Sequence, residues 1–275
     1  MYQKYFCTFA DSRMAKSLAR VKRQVEDAKY FDHIYINNES NLDADFREFF
    51  KDKLIKGTRG YGYWVWKPQI ILQTLKQMQD GDVLLYMDVG CHFNKNGLER
   101  MDYYFNKTKS SPSGLLVFQE AIKAEDRNLE TFYRNLEKIY TKGDIFDYFN
   151  VRDREDIYNT GIIAATSFLV KKCKESQTII EQWLNTFKSR FNLVDNSPSR
   201  SSNFDGFIEN RHDQSIFSML CKLNNIESIS AYEMWQSDWN KLGKYPILAK
   251  RDKDLGLYWR IHRKVKSIIN KYITI

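Results

Sequence analysis

Two carboxylates stand out by what surrounds them. Asp88 ends the apolar run Val83-Leu84-Leu85-Tyr86-Met87 and is followed by Val89-Gly90-Cys91; Asp213 lies in Arg211-His212-Asp213-Gln214, a polar cluster that opens a helical pattern reaching residue 223. An acid at the carboxyl end of a buried strand sits on the edge where open α/β sheets bind ligands, and Gly90 permits close backbone approach. Asp88 is therefore a candidate contact for a ribose, a phosphate or a metal ion, the alternative being the cap of a turn or helix. A carboxylate at a helix start is held ionised by the helix dipole and can accept a proton, so Asp213 is the acid/base candidate, or else an N-cap. His212 beside it is a second candidate, as ligand to a metal or diphosphate or as a structural histidine.

Just upstream of Asp88 lies an aromatic block, Arg59-Gly60-Tyr61-Gly62-Tyr63-Trp64-Val65-Trp66-Lys67-Pro68. Its rings offer a stacking platform for a base or a sugar face, with the two glycines letting the chain bend. Alternation about Val65 equally suits a half-buried strand with Trp64 and Trp66 in the core, in which case Tyr61 and Tyr63 share a face.

The elements that must carry these residues alternate. Strands are expected at 4–9, 31–36, 83–87 and 114–119, with a turn feeding a strand within 158–165 and a short strand near 226–229. Helices are expected at 13–29, 43–53, from Pro68 to about 79, 98–106, 128–140, 172–190 and from an opening at 209–215 to about 223, with Ala10-Asp11-Ser12 as the first strand-to-helix turn. Residues 83–87 carry no charge and no helical period, the mark of a strand buried on both faces. The Ser-, Asn-, Pro- and Gly-rich segment 195–206 reads as a surface loop or a lid.

A chain of 275 residues with 43% hydrophobic and 15% aromatic content can bury a large core. No apolar run approaches a membrane span, no secretory leader is legible, and the four cysteines form no CxxC pair, which points to a reducing, cytoplasmic setting. The net charge is uneven: residues 241–275 hold 10 Lys or Arg against 2 Asp or Glu, the whole of the net +8, while 33 of each sign balance before them. This favours a 1–240 body with a 241–275 basic tail over a nucleic-acid reader, whose charge spreads across its reading face. Within the tail, Tyr258, Ile261, Val265, Ile268, Ile269 and Tyr272 fall at helical spacing among Arg260, Arg263, Lys264, Lys266 and Lys271. Such a helix lies on an anionic membrane or docks on the protein's own sheet. There is no GxGxxG after the first strand, no Walker loop, no GxSxG elbow and no HExxH.

The aromatic block, the run Gly81-Asp82-Val83-Leu84-Leu85-Tyr86-Met87-Asp88-Val89-Gly90-Cys91, the triplet Asn159-Thr160-Gly161 and the stretch Arg211-His212-Asp213-Gln214-Ser215-Ile216-Phe217-Ser218 together resemble bacterial glycosyltransferases of GT-A type from capsule and O-antigen gene clusters. The resemblance covers roughly residues 5–235. It implies an α/β fold with a mixed central sheet flanked by helices, and transfer of a hexose from a nucleotide-sugar donor, by preference UDP-linked. The implied acceptor is a hydroxyl of a surface polysaccharide or lipid-linked oligosaccharide at the inner face of the plasma membrane. It further implies that Ala10, Asp11, Arg59, Tyr63, Trp66, Lys67, Asp88, Gly90, Asn159, Thr160, Gly161 and Gln214 line the donor and acceptor pocket, with Asp213 and His212 carrying the chemistry.

A divalent cation, manganese or magnesium, would fall to Asp88 and His212. The GT-A pattern Asp-x-Asp is here Asp88-Val89-Gly90, however, so the metal does not carry over with the motif. Without it, Arg59 and Lys67 are the charges available to offset a diphosphate. If the reaction inverts, Asp213 is the base of a single displacement; if it retains, Asp213 positions donor or acceptor. The rival readings are a single-stranded nucleic-acid binder, with the aromatic block stacking bases, and a catalytically inactive membrane-associated scaffold of the same fold.

Overall fold

The computed structural model describes residues 2–120 and 135–252. Its strands are β1 (Lys4–Phe9), β2 (His33–Asn37), β3 (Val83–Met87), β4 (His92–Phe93), β5 (Leu115–Gln119), β6 (Ile163–Lys171), β7 (Ser228–Ser230) and β8 (Ile247–Leu248). The principal helices are α1 (Ala15–Ala28), α2 (Ala44–Phe49), α3 (Trp66–Leu75), α4 (Leu98–Ser110), α5 (Lys174–Ser189) and α6 (Asp213–Leu223).

Six strands form one mixed sheet in the order β2-β1-β3-β6-β5-β7, in which β6 alone runs against the rest. β1 shows how one strand feeds two cores: Phe6 joins the cluster under α1 and α4, while Tyr5, Cys7 and Phe9 join the cluster under α3, α5 and α6. The result is a helix–sheet–helix sandwich with β3 at its centre, every residue of β3 being 0% exposed. The mixed α/β expectation therefore holds.

Strand order creates a crevice. From β1 the chain crosses through α1 to β2 on one side, then returns through α3 to β3 on the other side of β1. Because α1 and α3 cover opposite faces, the carboxyl ends of β1 and β3 open between them, which is where such sheets take ligands. β6 contributes its start to the same edge, since Met87 of β3 pairs with Ser167 and the Asp88 N–H donates to Thr166 O at 2.8 Å.

Several expectations shift. The aromatic block is not a strand. Gly60, Tyr61, Gly62, Tyr63 and Trp64 all have positive φ, at 60°, 52°, 86°, 55° and 61°, which makes a left-handed turn closed by Tyr63 N–H to Arg59 O at 2.8 Å. L-residues pay about 1–2 kcal/mol each for that conformation, so tertiary packing must hold the turn. The following helix begins at Trp66 rather than Pro68, with the proline in the first turn where its missing N–H is harmless. Segment 195–206 is tied down: the Asp144 carboxylate accepts from Arg200 N at 2.9 Å and Ser201 N at 2.7 Å, and Asn203 Oδ1 accepts from Gly143 N at 2.8 Å. Residues 241–252 pack on the body through buried Leu242 and Ile247, with β8 paired to β4. The amphipathic pattern at 257–275 and most of the helix expected at 128–140 lie outside the described residues. No helix among the described residues is long and apolar enough to cross a membrane.

Candidate active site

The left-handed turn sets the start of α3. Trp66 is 4% exposed, its ring 4.1 Å from that of Phe9, and its Nε1–H donates to Gly60 O at 2.9 Å. Trp66 is thus a core residue that clamps the turn to β1, not a stacking surface for a ligand. The next residue, Lys67, is 2% exposed and reaches across the carboxyl end of β3.

Three oxygens surround its ammonium: Asp213 Oδ2 at 2.7 Å, Ala165 O at 2.9 Å and Asp88 Oδ1 at 3.2 Å. Buried and paired with both acids, Lys67 is placed to act through the carboxylates it holds. Its pKa lies above the ordinary lysine range: burial works against the charge, but Asp213 and Asp88 together outweigh it.

The two acids differ. Asp213 is 5% exposed and its carboxyl is pushed up to about 6, since desolvation exceeds the help of Lys67 and Asp88 adds a like charge. One ammonium between two carboxylates leaves a net negative charge, and the more buried acid is the one that takes up a proton first. Asp88 is more open, with its side chain 27% exposed; its Oδ1 accepts from Tyr86 O–H at 2.6 Å, and its Oδ2 has no partner among the described residues. The Tyr86 hydroxyl stays protonated because burial, and then Asp88, push its pKa well up. Trp183 fixes the start of α6 by donating Nε1–H to Asp213 O at 3.2 Å.

The remaining expected residues scatter around this centre. His212 has φ 55° and ψ −119°, and its Nδ1–H donates to Val194 O at 2.5 Å. Burial pulls the ring down to about 4, so it is neutral, packed 5.2 Å from Tyr63 and 5.7 Å from Trp64. It shapes the corner that delivers Asp213. Half-buried Tyr63 also meets Phe191 edge-on at 6.1 Å, and half-buried Gln214 follows Asp213 with its N–H on Arg211 O at 3.0 Å. Ala10 and Asp11 follow β1 beside the crevice, but Asp11 gives both oxygens to Arg13, at 2.6 and 2.8 Å. Arg59 makes a 3.4 Å surface pair with Glu209. Asn159 is exposed, and Thr160 accepts from Lys222 Nζ at 2.9 Å, a lysine also held by buried Glu137 at 2.7 Å. At Gly161 a Cβ would stand 1.9 Å from Glu120 O, so that glycine answers close packing. Gly90 accepts from Asp252 N–H at 2.9 Å. Tyr86, Ala165 and Trp183 were not anticipated; Tyr86 was within reach of the strand period, which puts residues two apart on one face.

These donors do not suit a divalent cation. Asp88 Oδ1 and Asp213 Oδ2 are paired with Lys67, position 90 has no side chain, His212 gives Nδ1 to Val194 O and has only a buried Nε2 without a hydrogen-bond partner, and no group of three His, Cys, Asp or Glu that could hold a metal occurs among the described residues.

No family model and no curated protein matches the chain. Among solved structures it is similar to a glycosyltransferase involved in the glycosylation of the major capsid of PBCV-1, at 11% identity and TM-score 0.47, covering 92% of this chain and 98% of that one. It is also similar to mouse xyloside xylosyltransferase 1, at 8% identity and TM-score 0.44 over 89% and 93% of the two chains. A third is an active-site mutant of LgtC, at 13% identity and TM-score 0.40 over 79% and 69%. At such identities and scores, the chemistry of this chain has to come from its own residues.

Proposed function

We propose that this protein is a glycosyltransferase that moves a hexose from a nucleotide-linked donor, by preference UDP-linked, to a hydroxyl of a surface polysaccharide or lipid-linked oligosaccharide. The observation that carries the reading is the Lys67-bridged pair of acids at the crevice between β1 and β3: one carboxylate open to a ligand, the other buried and titrating close to neutral pH. The four sequence motifs that resemble GT-A enzymes support it, since two of them supply Lys67 and Asp88 and a third supplies Asp213.

In this reading the donor lies over the carboxyl ends of β1 and β3, with Asp88 Oδ2 turned to its ribose or diphosphate. Departure of the nucleoside diphosphate leaves an oxocarbenium-like sugar, and the acceptor hydroxyl must lose its proton as it attacks. Asp213 is the group in the crevice suited to take that proton, being ionised at pH 7 yet basic enough to accept. Lys67 holds both acids in place without touching substrate. The basic segment 257–275 brings the enzyme to an anionic cytoplasmic membrane face, a role supported by its composition alone.

The test is calorimetry with UDP, GDP and CDP followed by nucleotide-release assays with UDP-hexoses. Binding of UDP and release that depends on Asp88 and Asp213 are expected. Failure of all three nucleotides to bind would remove the reading.

A further inference from the structure

A nucleoside diphosphate brings negative charge to a crevice that already holds a net negative cluster, so a cation must face it. The place between the two acids is filled by the Lys67 ammonium, ion-paired to Asp213 Oδ2 at 2.7 Å and Asp88 Oδ1 at 3.2 Å and donating to Ala165 O at 2.9 Å. Seating a metal there would require Lys67 to leave a site in which it is 2% exposed and to give up its pairs with both carboxylates.

Two residues past Asp88, the surface beside Gly90 is built by the C-terminal segment. A Cβ on Gly90 would stand 3.5 Å from Arg251 Cα, and Asp252 N–H donates to Gly90 O at 2.9 Å. Asp252 is in turn gripped by His92 Nε2 at 3.0 Å and Arg20 at 3.5 Å, with the other nitrogen of His92 held by Gln24 at 3.1 Å. Position 251 is therefore pinned directly over the Asp88-Val89-Gly90 turn. Its backbone is left-handed at φ 54°, a conformation no β-carbon favours, and its side chain is exposed with no ion pair among the described residues.

We propose that this chain binds its donor diphosphate without a divalent cation, Lys67 permanently filling the cation position between Asp88 and Asp213 while Arg251 meets the phosphates across Gly90. The inference rests on the nucleotide-sugar reading of the site. A planar guanidinium suits the task because it is always charged and can give two parallel hydrogen bonds to phosphate oxygens. Glycine at 90 then has a physical reason: an acid there would sit against Arg251 and neutralise the group that the phosphates need.

The experiment is titration calorimetry of the full chain with UDP, in EDTA and again with saturating Mn²⁺ or Mg²⁺, repeated for Arg251→Gln and Arg251→Lys with UDP and with uridine. The expected affinities for UDP agree within about twofold with and without metal. Arg251→Gln is expected to weaken UDP by about tenfold or more, the scale of a lost hydrogen bond between charged groups, with partial recovery in Arg251→Lys and no change for uridine. Binding of UDP that appears or tightens by about tenfold only with metal would overturn the inference while leaving the glycosyltransferase reading intact. So would unchanged UDP affinity in Arg251→Gln, or an equal loss for UDP and uridine. No binding of any nucleoside diphosphate in either condition would remove both.

Discussion

Asp213 Oδ2 stands 2.7 Å from Lys67 Nζ, with the lysine 2% and the aspartate 5% exposed. A buried ion pair of this kind seldom adds net stability, because each charge has lost its water. Here a second carboxylate, Asp88, shares the same ammonium, so the cluster carries an uncompensated negative charge. That arrangement is costly to folding and useful to chemistry. It keeps the ammonium charged and gives the deeper acid an affinity for protons that an exposed aspartate lacks.

Removing the cation should be far worse than removing the acid. Lys67→Met leaves two carboxylates facing each other in an apolar site, and breaking a buried pair from one side typically costs about 3–5 kcal/mol. A large fall in the urea midpoint, larger at pH 8 than at pH 5, is expected, because low pH lets the stranded acids protonate. A midpoint that is unchanged would mean that Lys67 does not hold the acids in solution.

Asp213→Asn should separate activity from stability. Loss of a general base typically lowers the rate by about 10² to 10⁴. The amide keeps the shape, removes the uncompensated charge and leaves Lys67 with Asp88, so thermal unfolding should shift upward or stay put. Retained transfer with a lowered melting temperature would reduce Asp213 to a cap on α6.

How far the amino-acid sequence leads is clearest at these three residues. Asp88 was legible because an uncharged run without helical period can be little other than a buried strand, and an acid at its end must emerge at the sheet edge. Asp213 was legible from the polar cluster at a helix start. Their union through Lys67 was not, because nothing local tells which of many lysines folds inward across the end of β3. The aromatic block misled for a physical reason: tyrosine and tryptophan rarely take positive φ, and only the packing of Trp64 on Gly60 and of Trp66 on Phe9 makes that turn affordable. Thr160 and Gly161 likewise owe their places to partners far away, Lys222 and Glu120.

The pH dependence follows from the raised Asp213. Its carboxyl titrates at about 6 in the folded protein against an ordinary 3.8, so the folded state binds the extra proton between those values and stability from this group falls as pH rises through that window. Activity should move the other way, since transfer needs the ionised base: kcat should climb through about pH 6 and level off above it. Asp213→Asn should abolish that limb. A kcat profile flat from pH 5 to 8 would show that no group with this pKa limits the reaction.

The left-handed turn gives the last test. At Gly60 a Cβ would stand 2.3 Å from the Trp64 ring, and at Gly62, where φ is 86°, it would stand 3.1 Å from Lys53 O. The first clash can be relieved only by moving Trp64; the second is against backbone, in a conformation that an L-residue adopts at a cost of about 1–2 kcal/mol. Gly62→Ala is therefore expected to destabilise the fold by at least about that amount. Gly60→Ala, at φ 60° and against the Trp64 ring, is expected to destabilise at least as much, and also to reach function, because Gly60 O accepts from Trp66 Nε1 and so sets the start of α3, where Lys67 departs for the two acids. A displacement of Lys67 loosens Asp213 from its ammonium and drives its pKa further up. The signature is a shift of the acidic limb of the kcat profile to higher pH in Gly60→Ala, with donor nucleotide affinity preserved. If the limb stays where it was while the rate falls, the turn acts on substrate directly and not through Lys67.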